Sequence, residues 1–130
     1  VLTVSIHADP ERFYPFFWGY ANERGKGVGE GYNLNIPLPR GTADQEYLLS
    51  LNEALVAVAD FSPDAVVVAL GLDAHEDDPF HGMSITTAGF SSIGKALGEL
   101  GLPTVIVQEG GYLSDALGDN LVAFLSGFQT

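Results

Sequence analysis

Three short runs of apolar, largely β-branched residues, at positions 1–7, 65–70 and 103–107, are separated by segments whose apolar residues recur with helical period. Apolar runs of that length, bounded by turn residues, read as strands buried on both faces. Strands joined through helices run parallel, their crossovers are right-handed, and helices cover the sheet. The expected fold is therefore α/β, with a mostly parallel sheet. Ligands in such sheets bind at the carboxyl ends of the strands. Ser5-Ile6-His7, Gly71-Leu72-Asp73 and Glu109-Gly110-Gly111-Tyr112 all fall there.

The helices have their own punctuation. Thr42-Ala43-Asp44-Gln45 reads as a capping box, after which Leu48, Leu51, Leu55 and Val58 share one face until Ser62-Pro63-Asp64 stops the helix. Thr86 or Thr87 caps a second helix, with Phe90, Ile93 and Leu97 on one face and Gly101 at C′. A third turns Leu117, Leu121, Phe124, Leu125 and Phe128 inward. Asn33-Leu34-Asn35-Ile36-Pro37-Leu38 alternates and carries prolines, which suits an edge strand. Positions 8–31 show no period but hold Phe13, Tyr14, Phe16, Phe17, Trp18 and Tyr20. A loop that long inside a compact domain is usually functional.

Length and charge narrow the functions. The 130 residues make one domain, and 17 acidic against 5 basic side chains leave a net charge of −12. That field repels phosphate backbones, so no nucleic-acid partner is expected; it attracts cations, or simply keeps the chain soluble. There is no cysteine, hence no disulfide and no thiolate metal site. No apolar run approaches the ~18 residues of a membrane span. The expectation is a cytoplasmic protein without a membrane partner. Val1 opens directly into a strand, which reads as a piece of something longer.

Several residues could carry chemistry, each with a plainer alternative. Asp73, after a strand and a glycine, suits an oxygen ligand for a metal or a solvated acidic turn. A local trio of Asp73, His75 and Asp77 would need a tightly curled turn. His7 fits a hydrogen-bonded core position as well as a site. Tyr112 follows two glycines that allow close backbone approach, so its hydroxyl can donate to a developing oxyanion, or its ring can cover the helix below. The aromatics at 13–20 can wall a channel, cage a cation or pack on another domain. Gly25, Gly27, Gly29 and Gly31 lack the Lys-Ser/Thr and following helix of a phosphate loop.

Taken in order, Val1-Leu2-Thr3-Val4-Ser5-Ile6-His7, Phe13-Tyr14-Pro15, the spaced glycines, Asn33-Leu34-Asn35-Ile36-Pro37-Leu38, Gly71-Leu72-Asp73 with Asp78-Pro79, and Gln108-Glu109-Gly110-Gly111-Tyr112 resemble the C-terminal half of the histone deacetylase superfamily. Phe-Phe-Trp-Gly-Tyr at 16–20 and Gln-Glu-Gly-Gly-Tyr look most like its bacterial acetylpolyamine amidohydrolase branch. The resemblance implies an arginase/deacetylase-like three-layer α/β/α sandwich, here incomplete. It also implies zinc-assisted hydrolysis of a small cationic acetylated amine (acetylpolyamine or acetyl-lysine type). It makes Asp73 a zinc ligand, Tyr112 the catalytic oxyanion donor, and Phe13, Tyr14, Gly110 and Gly111 the substrate channel. Ser5, Ile6 and Tyr32 fall where the family binds structural potassium.

The departure is equally specific. The family's Asp-x-Asp-x-His strand and His-His pair do not occur in this sequence. One carboxylate does not make a three-ligand catalytic zinc site, so the chain alone is expected to be inactive. The alternative is a non-catalytic, oligomerising fragment without a catalytic metal. The missing strand belongs between 1–7 and 65–70 in the family. Its loss exposes two strand edges, from which either their direct pairing or a homo-oligomer is expected.

Overall fold

The computed structural model describes residues 1–130. In order they form β1 (Thr3–Ala8), β2 (Asn33–Leu38), α1 (Asp44–Phe61), β3 (Val66–Leu70), α2 (Thr87–Gly98), β4 (Thr104–Gln108) and α3 (Leu117–Phe128), with short 3₁₀ turns at Gly27–Gly29 and Leu72–Ala74. β1 pairs with β2 and β3 with β4, both in parallel. The fold is α/β, as the alternation predicts. No helix is long and apolar enough to cross a membrane.

The two pairs do not join. Each of β1 and β3 has one strand neighbour, so the expected direct pairing is absent. α1 and α2 carry the crossovers before and after β3, and they contact each other. A ladder between β1 and β3 needs the two main chains ~4.8 Å apart, whereas a cavity of about 640 Å³ lies between them, lined by Ser5, Ile6 and His7 on one side and Ala69 and Gly71 on the other.

One core cluster unites the layers: Ala8, Leu51, Leu70, Leu72, Met83, Ile85, Phe90, Ile93 and Phe124. The strands meet it with one face only. Val66, Val68, Thr104 and Ile106 turn inward, while Val67, Val105 and Val107 remain 72%, 59% and 46% exposed. These strands are thus half-covered rather than buried on both faces, and the second helical layer of a three-layer sandwich is not formed by these residues. Leu125, expected inside, is exposed on α3. Gly94 and Gly127 bring α2 and α3 into backbone contact, since a Cβ at either would strike the opposite helix.

The helix ends differ in part from the sequence pattern. Thr86 caps α2, its hydroxyl accepting from Gly89 N at 3.0 Å. Ser62, left-handed at φ 54, stops α1 through amide bonds to Val58 and Ala59. The capping box at 42–45 does not form, because Thr42 donates its hydroxyl to the Pro39 carbonyl at 2.7 Å. Asp44 instead accepts from the Thr86 amide and hydroxyl at 2.9 and 2.6 Å, tying the start of α1 to the cap of α2. Gly101 lies beyond C′, three residues past the end of α2. Phe124 is fully buried between the layers. Phe124→Ala is expected to cost about 3–5 kcal/mol, read as a lower urea midpoint.

Candidate metal and substrate site

The β3–β4 ladder continues beyond the strands. Glu109 N donates to Leu70 O and Leu72 N to Gly110 O, both at 2.9 Å. The two outgoing loops are therefore locked side by side, with Asp73 between them. A Cβ on Gly71 would lie 2.6 Å from Asp73 Oδ1, and one on Gly110 would overlap the same carboxylate. Gly111, at φ +133, presses against Leu72 and Leu117. Glycines at 71 and 110 make the space that the carboxylate fills.

Asp73 faces a cavity of about 640 Å³ in the gap between β1 and β3, lined among others by Ser5, Ile6, His7, Phe13, Tyr14, Trp18, Glu23, Tyr47 and Glu109. Partial burial pushes the Asp73 carboxyl above its ordinary range, its own amide opposes this, and Asp78 and Glu109 raise it further. A carboxylate that ionises against its surroundings is a natural partner for a cation. Burial, with Asp73 adding to it, pushes the Tyr47 phenol up to about 12.

The other predicted residues divide clearly. Phe13 lines the cavity, its ring close to Gly82 and 5.0 Å beneath the Arg40 guanidinium. Tyr14 lines it from an exposed position. Tyr112, Gly110 and Gly111 lie at the same end of the sheet as Asp73, but none of the three lines the cavity. The Tyr112 ring packs edge-to-face on Phe80 with centroids 4.7 Å apart. Ser5 and Ile6 line the cavity, whereas Tyr32 packs against Phe61 and its carbonyl accepts from the Thr3 amide at 3.0 Å. His7 is occupied by Ser5 Oγ at 2.7 Å and the Gly19 carbonyl at 2.8 Å.

The local trio does not assemble. His75 is buried against Phe90, and its Nδ1 accepts from the Asp77 amide at 3.2 Å. No three His, Cys, Asp or Glu side chains converge closely enough to hold a metal ion. Asp73 offers one donor where a catalytic zinc takes three protein ligands, so the donor set in this chain is incomplete.

Some site residues escape sequence reasoning. Tyr47 lies beside the apolar stripe of α1 and carried no signal of its own. Glu23 accepts from the Gly19 and Tyr20 amides at 2.7 and 3.1 Å and from Asn35 Nδ2 at 3.2 Å, which folds the aromatic loop onto β2. Such bonds join a side chain to distant residues and leave no local pattern. Because native Tyr47 holds its proton more tightly than the unfolded chain does, the stability it contributes is intact below pH ~10 and is lost as pH rises towards 12. Absorbance titration at the phenolate band should show one tyrosine ionising at about 12, and Tyr47→Phe should remove that step and part of the alkaline loss of stability.

Comparison with known proteins places this geometry. Residues 1–128 match the histone deacetylase domain family. The chain is 47% identical over 128 residues to the acetylpolyamine amidohydrolase of Burkholderia pseudomallei, covering 98% of this chain and 38% of that protein. It is 39% identical over 130 residues to histone deacetylase 8 of Arabidopsis thaliana, covering 86% of this chain and 32% of that protein. The crystal structure of the Burkholderia pseudomallei acetylpolyamine aminohydrolase superimposes with a TM-score of 0.95, over 98% of this chain and 37% of that one. The chain thus spans about a third of the length of these relatives, 32–38%. With the parallel strands, the locked loops and the match in agreement, this chain belongs to the histone deacetylase family.

Proposed function

We propose that the chain is the carboxyl-terminal portion of a zinc-dependent deacetylase that hydrolyses a small, cationic acetylated amine of the acetylpolyamine type. One observation carries the reading: parallel pairing of β3 and β4 sets the Asp73 loop and the Gly110-Gly111-Tyr112 loop side by side, next to a cavity walled by Phe13 and Tyr14. In this reading Asp73 is one zinc ligand. Tyr112 donates its hydroxyl to the oxyanion that develops at the acetyl carbon. Phe13 and Tyr14 wall the channel, while Gly110 and Gly111, off the cavity wall, bring the Tyr112 loop close to Asp73. Glu23, Asp73 and Glu109 on or beside the cavity, with the net charge of −12, favour an amine that carries positive charge elsewhere in the molecule.

Because the donor set is incomplete, no hydrolytic step is assigned to these 130 residues alone. The same charge balance argues against nucleic acid as partner, and a cytoplasmic location is part of the proposal. Structural potassium at the main chain of Ser5, Ile6 and Tyr32 is the finer part of the proposal and rests on the resemblance of those positions to the family. The free strand edges and the bare valine face support a homo-oligomer.

The purified chain should retain well under one equivalent of zinc and show no turnover of an acetylated polyamine. Co-expression with a separate segment bearing an Asp-x-Asp-x-His strand and a His-His pair should bring zinc to one equivalent and start turnover. In that complex Asp73→Ala should lose the metal, and Tyr112→Phe should keep it while lowering kcat by ~10²–10³. Metal analysis that finds full zinc loading without Asp73 would refute the assignment. Light scattering on the chain by itself should give at least twice 13.8 kDa.

A further inference from the structure

Asp78 is a buried carboxylate, 2% exposed, with no basic side chain paired to it. A buried carboxyl group is costly unless hydrogen-bond donors satisfy its oxygens. Two do. Oδ1 accepts from Phe80 N at 2.9 Å, and Oδ2 accepts from Tyr112 N at 3.3 Å across 34 residues of sequence. The first bond is the ordinary turn that an Asp makes with the residue two positions on. The second serves no turn. It reaches out of the Asp73 loop into the Gly110-Gly111-Tyr112 loop.

Tyr112 has little else to hold it. Two glycines precede it, the second at φ +133, and Leu113 after it is 94% exposed. The same carboxylate fixes Phe80, whose ring meets the Tyr112 ring at 4.7 Å and 66°. One side chain therefore anchors the tyrosine twice: directly at its amide, and through Phe80 at its ring. We propose that Asp78 is the positioning residue for Tyr112, setting where the phenol stands relative to the Asp73 carboxylate. The functional weight of this hold rests on the oxyanion role given to Tyr112 above. The hold itself does not.

Hydrogen exchange followed by NMR on the ¹⁵N-labelled full chain tests it. In the unmodified chain the Tyr112 amide should exchange at least about tenfold more slowly than that of Leu113, after correction for intrinsic rates. Asp78→Asn should abolish that difference and weaken the Phe80–Tyr112 ring NOEs, while the amides of Thr104–Gln108 keep their protection. Asp78→Ser, which preserves an acceptor for the turn but is too short to reach Tyr112, replaces Asn if that variant does not fold. An unprotected Tyr112 amide in the unmodified chain overturns the proposal. So does loss of protection spread evenly over β3 and β4, which would make Asp78 a general support of the fold. These readouts need neither zinc nor substrate, so a failed reconstitution with the tether intact would remove the deacetylase reading alone.

Discussion

Because β3 and β4 run parallel, both of their outgoing loops leave at the same end of the sheet, and the ladder carries them onward in register through Glu109 N to Leu70 O and Leu72 N to Gly110 O. Antiparallel pairing would have sent Asp73 and Tyr112 to opposite ends. The small residues at 71, 110 and 111 follow from that adjacency, since two main chains and a carboxylate must share the space. The cavity lies along the other edge of β3, towards β1, so the loop that leaves β3 borders both the β4 loop and the cavity.

The electrostatics point the same way as the sterics. Asp73 is held against burial and two other carboxylates, and no cation among the chain's few basic residues relieves it. Folding alone would favour a neutral side chain there. Local conflict of this kind, surrounded by well-packed hydrophobic residues such as Leu72 and Ile85, is the feature on which the proposed role of Asp73 rests.

Much of this was legible in the sequence. β-branched runs and helical periods locate the strands and helices to within a residue or two, and the strand-end rule puts Asp73 and Tyr112 at one end of the sheet. Three things were not legible, for different reasons. Thr42 matched a capping box locally, yet a nearer carbonyl took its hydroxyl. Val67, Val105 and Val107 are apolar enough for a doubly covered sheet, and sequence cannot say whether the cover is present. Asp78, Glu23 and Tyr47 act through bonds and burial set by residues far along the chain, where no periodicity reaches. The placement of Tyr112 on Phe80 rather than on the cavity wall belongs to that group as well.

The uncovered valine stripe bears on the fate of such a chain in a cell. Contiguous apolar surface beside open strand edges is what chaperones and proteases engage on incompletely folded proteins. Core packing around Phe90 and Phe124 does nothing to hide it. Any segment or partner that covers Val67, Val105 and Val107 would therefore protect the polypeptide without touching its interior.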